Sequence, residues 1–465
     1  MKIYNTLTGA KQEFIPLDGN KVKMYACGIT VSGEAHIGHA YQAFIYDVIR
    51  KYLKKRGYDV TYARNYTDVD DKIIAKSNET GIPADLFAED MIKKIDEQMK
   101  RFKVDDPDIW IKATDCIGDI IDFVDALIKK GHAYATEKGD VYFSVESFPS
   151  YGKLSHRNLD DAKNGVRIEN DEQKKNPLDF ALWKSAKEGE PFWDSPWGKG
   201  RPGWHIECST MNRKTFGDRI DIHGGGRDLI FPHHENEIAQ SEALTGKPFA
   251  NFWIHNGLIK VNGQKMSKSL GNSLLLRDLL DKYSPETIKF ALLETNYRGD
   301  INITDNIFTD AEKHLTDFYN VFIKAAEKGI AIKGENKDID DEFNAVMDND
   351  FNTALAISNL YGYFKAAEKK IAAGDASVGA DLNQIKNTYS IFGLFVEDPK
   401  EFTLKYGKKE TKEEIPEEIV ALAEKMQNAR AVKDYATADA LRAEINGKGY
   451  NVAISKDGVA ISKKQ

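Results

Sequence analysis

The residues best suited to chemistry in this sequence fall into a histidine pair, a thiol-rich set and a lysine pair. His36 and His39 stand three apart in His36-Ile37-Gly38-His39. An apolar run over 22–27, closed by Gly28, precedes them, and Phe44, Ile45, Val48, Ile49, Tyr52 and Leu53 follow at helical spacing. The stretch therefore reads as strand, loop and helix. Two imidazoles at a helix start share a face. Backbone N–H groups and the positive end of the dipole lie beside them, and Gly38 leaves room for a ligand, which suits a polyphosphate. A helix start with two solvent-facing histidines would present the same residues.

Cys27 ends that first strand. Cys208, and the His233/Glu237 pair four residues apart on one helix face, follow later strands. They would converge on the same edge if the sheet closes as a nucleotide-binding fold. Two thiolates, one imidazole and one carboxylate make a tetrahedral zinc set. The spacing is not that of a zinc finger, and two buried cysteines beside a helix-start charge pattern would fit equally well.

Lys265 and Lys268, in Lys265-Met266-Ser267-Lys268-Ser269, follow Asn262-Gly263, a strong two-residue hairpin signal. The loop would carry point charges able to fold over phosphates as charge builds in a transition state; a solvated basic loop is the plainer alternative. Gly224-Gly225-Gly226 follow a strand over 219–223, where a flat ligand could approach the backbone. Asp68, Asp70 and Asp71 lie at a strand's carboxyl end, where open α/β sheets bind ligands, or they cap a helix start with Asp68 as N-cap. Trp193, Trp197 and Trp204, among glycines and prolines, read as the lining of a rigid pocket or loop.

The elements that must position these residues alternate between strand and helix up to about 304. This predicts an α/β, Rossmann-type parallel sheet in two halves, 1–115 and 191–257, split by a connective insertion over 116–190. A hairpin and stem-contact region follows over 258–304, with helices expected over 274–283 and 286–294. Helical periodicity over 305–404 predicts a bundle, and 415–465 reads as a small C-terminal α/β domain ending in a hairpin around Asp457-Gly458. The 465 residues suffice for several domains. No apolar stretch is long enough to span a membrane and no leader is evident, so a cytoplasmic protein with no membrane partner is expected. With a net charge of −8, any nucleic-acid contact must come from local basic patches. Three cysteines are too few for a disulfide framework.

The sequences His36-Ile37-Gly38-His39 and Lys265-Met266-Ser267-Lys268-Ser269, in this order on a split nucleotide fold, resemble the paired signatures of class I aminoacyl-tRNA synthetases. The segments Arg64-Asn65-Tyr66-Thr67-Asp68-Val69-Asp70-Asp71-Lys72, Gly203-Trp204-His205-Ile206-Glu207-Cys208 and Pro232-His233-His234-Glu235-Asn236-Glu237 narrow the resemblance to the cysteinyl-tRNA synthetase family, over nearly the whole chain.

That resemblance implies one zinc ion on Cys27, Cys208, His233 and Glu237, with the substrate thiolate as a further ligand. Soft thiolate binds zinc far better than a hydroxyl, so the metal would reject serine without an editing site. It implies that Thr67, Trp204, His205 and His223 surround L-cysteine. ATP, with magnesium on its phosphates, would sit among Gly28, His36, Gly38, His39, Gly224, Gly225, Gly226, Lys265 and Lys268. His36, His39, Lys265 and Lys268 would act in catalysis. The partner implied is tRNA(Cys), read by the bundle and terminal domain, and the expected state is a monomer. The sequence departs from the family pattern at Ser32-Gly33, where Tyr-Asp is usual, at Tyr41 and Lys112, where Arg is usual, and at Asn296, where His is common. The rival readings are a paralogous zinc-dependent cysteine ligase acting on a small amine, as in the mycothiol pathway, and a catalytically silent tRNA-binding relative.

Overall fold

The computed structural model describes residues 1–157, 173–266, 273–407, 416–431, 434–455 and 458–463. The chain forms two compact units, Met1–Tyr406 and Gly407–Gln465.

The first unit is built on a five-stranded, wholly parallel sheet. Its elements are β1 (Lys21–Thr30), α1 (Ile37–Lys55), β2 (Asp59–Thr67), β3 (Ile109–Lys112), α2 (Trp204–Phe216), β4 (Ile220–Gly226), α3 (Glu235–Thr245) and β5 (Ala250–Asn256). The strand order is β5-β4-β1-β2-β3, with Tyr25 opposite Ala63, Ile222 opposite Met24 and Ile220 opposite Ala250. The order reverses between β1 and β4, so the ligand crevice of such a sheet opens at their carboxyl ends. Met24, Tyr25, Ala26 and Cys27 are all buried, as expected of a strand covered on both faces. Helix α1 is buried nearly all round: beyond its apolar stripe, Asp47 pairs with Arg50 at 2.6 Å and the Tyr52 hydroxyl donates to Asp348 at 2.7 Å.

The inserted segment carries a four-stranded antiparallel sheet of Ala133–Ala135, Val141–Phe143, Phe180–Ser185 and Gly200–Pro202. Ile259–Val261 and Gln264–Lys265 form a hairpin through Asn262 and Gly263, both at positive φ, the geometry of a two-residue turn of this composition. Lys268, with the rest of 267–272, lies outside the described residues. Helices Ile307–Glu327, Lys337–Met347, Thr353–Ala373, Val378–Tyr389 and Pro399–Tyr406 follow.

Three local expectations are corrected. The helix expected over 274–283 spans only Leu276–Leu280, because Leu274 and Leu276 are held against the start of α1: Ile37 N donates to Leu274 O and Leu276 N to Ala35 O, both at 2.9 Å. Residues 204–208 open α2, whose N-cap is Gly203; the helix is buried despite its weak apolar periodicity. The three glycines 224–226 belong to β4 itself. Asp70, not Asp68, caps Asp71–Thr80, accepting from Lys72 N at 2.9 Å, while Asp68 turns to the backbone and hydroxyl of Thr114.

The second unit packs Glu417–Ala431 against Tyr435–Gly447 around Ile419, Ala423, Met426 and Ile445, beside an antiparallel pair of strands, Tyr450–Ser455 and Gly458–Lys463. Asp457, at the expected turn, lies outside the described residues.

Candidate active site

A cavity of about 450 Å³ opens at the crevice, with His36, Gly38, His39, Gly226, Lys265 and Met266 in its wall. His36 is the N-cap of α1. Its Nδ1 accepts from Gly38 N at 3.1 Å and His39 N at 3.4 Å, and His39 Nδ1 accepts from His36 N at 3.4 Å. The two rings stack at 3.6 Å. The histidines therefore cap the helix themselves, and the N–H groups of Gly38 and His39 are engaged before any anion arrives. With Nδ1 accepting on each ring, the proton of the neutral imidazole sits on Nε2, a donor suited to phosphate oxygen. Gly28 lines the same cavity. Of the three glycines of β4 only Gly226 does so; the Tyr46 ring occupies the place of a Cβ on Gly224, 2.2 Å away. Ser32, Gly33 and Tyr41 also face the cavity, and the Tyr41 hydroxyl donates to Tyr297 O at 3.1 Å.

Behind this cavity the structure brings Cys27, Cys208, His233 and Glu237 together, all buried, with one donor atom of each within 4.8 Å of the others. The sulfurs are 3.7 Å apart, far beyond a disulfide bond. Two sulfurs bound to one zinc at its tetrahedral angle would lie about 3.8 Å apart. Cys27 Sγ to Glu237 Oε1 is 3.4 Å and His233 Nε2 to the same oxygen is 3.1 Å. The donor set and its spacing fit zinc. A second group, Cys27, His223, His234 and Glu237, shares two of these residues. In it His234 Nε2 stands 3.9 Å from Glu237 Oε1, wider than the edge of about 3.4 Å expected between N and O ligands, while His223 Nε2 bonds the other oxygen, Oε2, at 2.7 Å. His223 thus orients Glu237 from outside.

The electrostatics match a cation site. The two thiols act on each other: a hydrogen bond from Cys27 pushes Cys208 down, although burial opposes it, and burial with the Cys208 contact holds Cys27 well up. Burial works against charging both Glu237 and His233, yet His223 and His233 hold Glu237 well below the usual carboxylate range, and Glu237 and Cys208 lift His233 to about 10. Burial keeps His234 and His255 neutral, the latter pushed down to about 3.

Of the residues expected around an amino acid, Trp204 stacks on His233 at 4.2 Å and lines both this cavity and a second one of about 530 Å³ facing the insertion. His205 Nδ1 meets His233 Nδ1 at 3.0 Å. Thr67 is buried and donates to Glu207 at 2.9 Å. His223 is fully buried, stacked on Trp253 at 4.5 Å, behind the metal set rather than in a cavity wall. The sequence reading omitted Asn65, Glu207, His234 and His255. Alternation along β2 places Asn65 on the face of Thr67, a signal that was available. His234 turns inward only because a kink at Phe231 precedes α3, which no periodicity reveals.

A doubly wound sheet, a histidine-capped crevice and a hairpin lysine at its rim together give the architecture of a class I synthetase catalytic domain. The pattern described as "tRNA synthetases class I (C) catalytic domain" matches residues 13–313, and that of the "DALR domain" matches 342–396. Solved structures of similar fold include Mycobacterium tuberculosis methionyl-tRNA synthetase in complex with methionyl-adenylate (TM-score 0.59, 13% identity, 84% of this chain and 92% of that one). Another is the Agrobacterium radiobacter LeuRS in a ternary complex with tRNA and LeuAMS (TM-score 0.62, 12% identity, 85% and 86%). Among curated relatives, the cysteine–tRNA ligase of Syntrophotalea carbinolica is 46% identical over 99% of both chains, and that of Bacillus cytotoxicus 45% over 95% of both. The chain belongs to the class I tRNA synthetases, in their cysteine–tRNA ligase family, and is a ligase. No helix among the described residues is long and apolar enough to cross a membrane.

Proposed function

We propose that this enzyme activates L-cysteine with ATP, releasing pyrophosphate, and transfers the cysteinyl group to tRNA(Cys). The observation that carries the reading is the buried set Cys27, Cys208, His233 and Glu237 directly behind the histidine-capped cavity. A zinc ion held there would supply a soft Lewis acid that binds a thiolate and disfavours a hydroxyl. Around it the chain's own residues bind and orient. Trp204 walls the amino acid, with His205 and Thr67 beside it, and His223 fixes Glu237. His36 and His39 donate through Nε2 to the phosphates, with magnesium on the phosphates themselves, while Lys265 and Lys268 close on the developing pyrophosphate charge. Gly28, Gly38 and Gly226 leave the cavity open to the nucleotide, while Gly224 and Gly225 give room to the Tyr46 and His234 rings packed against them. Activation of this kind depends on positioning and charge stabilisation rather than on a general base. The match of 342–396 to a DALR domain, and relatives covered to 99% of their length, favour tRNA over a small amine as acceptor. The enzyme is proposed to act as a cytoplasmic monomer, with the segment boundaries stated above as its domains.

The test is charging of a tRNA(Cys) transcript by purified enzyme with ATP and either cysteine or serine. Cysteine alone should be transferred. Cysteine-dependent pyrophosphate exchange without charging would favour the small-amine ligase, and no exchange at all the silent relative.

A further inference from the structure

The hairpin that carries Lys265 sets two lysines against each other. Its strands pair Lys260 with Lys265 and Val261 with Gln264, and residues directly opposite in an antiparallel pair project their side chains from the same face. Two ammonium groups so placed repel each other. The structure separates them with two carboxylates. Asp300, 22% exposed, takes Lys260: its Oδ2 meets Lys260 Nζ at 2.9 Å, while Oδ1 accepts from Leu258 N at 3.0 Å and pairs with Arg227. Lys265 instead forms part of the cavity wall, with Asp228 at 3.7 Å. The backbone holds Asp300 in place. The strand Ile301–Ile303 that follows it runs parallel to Ile259–Val261, and a Cβ on Gly257 would stand 1.9 Å from the carbonyl oxygen of Gly299.

We propose that Asp300 is a positioning residue that gives these two lysines different roles: it retains Lys260 at the base of the hairpin, so that of the two only Lys265 brings its charge to the triphosphate. The inference deepens the function proposed above and rests on it. Without the charge of Asp300, the Lys260 ammonium is released opposite Lys265, repels it and competes with it for Asp228.

The test is pyrophosphate exchange by the full-length, zinc-loaded enzyme with ATP and cysteine. Asp300→Asn keeps an acceptor for Leu258 N and removes the charge. Its kcat should fall about threefold to fivefold, the scale of a cross-strand charge pair, with zinc content and the KM for cysteine within about twofold of native. Lys260→Met alone should leave kcat within about twofold. Added to Asp300→Asn it should restore kcat to that level, because the harm lies in the freed ammonium. Asp300→Ser serves in the same pairing if Asp300→Asn does not fold. A purely structural role for Asp300, through Leu258 or Arg227, would leave the double variant as slow as the single one and overturns the proposal, as does an unaltered kcat in Asp300→Asn. If the native enzyme gives no exchange, the functional reading falls and takes this proposal with it.

Discussion

Gly28 has no room for a side chain: a Cβ there would lie 1.6 Å from the backbone oxygen of Asn65. The register between β1 and β2 shifts between Ala26 and Ile29, which lets the two strands draw together beside Cys27. Gly28→Ala should therefore part the strands rather than rotate a side chain. A loss of about 3 kcal/mol or more is expected, read as a lower midpoint in urea unfolding together with weaker zinc retention. At this scale the sequence is informative where a residue type has few uses. Cys27, Cys208, His233 and Glu237 were legible as a set because they would follow strands to one edge of a nucleotide-binding sheet, and the family resemblance, not their spacing, favoured them as metal ligands. Glu207 could not be singled out, because a carboxylate in a helix has many ordinary roles.

Among the elements, the parallel strands and long helices were legible because their apolar periods are strong, as in Thr353–Ala373, whose bounds follow from its pattern. Helix α2 was not, since its residues Glu207, Ser209, Thr210 and Asn212 are buried polar groups that erase an apolar stripe. The helix Pro285–Leu293 carries a testable case of the same kind. Lys289 is buried, donates to Lys103 O at 2.6 Å and lies 5.4 Å from the ring centres of both Phe44 and Phe102. Burial, helped by Lys51, pushes its ammonium down to about 8. The unfolded chain, with a lysine pKa near 10.4, binds more protons than the folded one across that window. The cost of the buried ammonium is fully present below about pH 8 and fades as pH rises toward about 10.4. Denaturant unfolding of the native protein and Lys289→Met at pH 7.5 and 10 should show the native protein gaining roughly 2 kcal/mol relative to the variant. An equal pH response in both would contradict a buried titrating lysine.

On the scale of the first unit, Asp350 ties separate parts of the chain together. It is 1% exposed and accepts from Tyr4 N at 2.8 Å, Tyr297 Oη at 2.9 Å and Arg298 Nε at 2.9 Å, while the Tyr297 carbonyl receives the hydroxyl of Tyr41 from the cavity wall. The N-terminal strand, the stem after the hairpin and the helical region thus meet at one carboxylate. Asp350→Ala removes three bonds from a buried acceptor and should cost about 2–4 kcal/mol, seen as a fall in the unfolding midpoint. No part of this junction was legible in the sequence, because its partners lie far apart and none belongs to a motif. The change from alternating strand and helix to helix alone was legible, since the apolar period changes with it. The proposed selectivity for cysteine depends on one metal ion held by Cys27, Cys208, His233 and Glu237. Its most direct test is pyrophosphate exchange as zinc is returned to chelated enzyme. Exchange with cysteine should rise and saturate at about one zinc per chain, with none for serine; exchange that persists undiminished after the zinc is gone would contradict a role for the metal in selection.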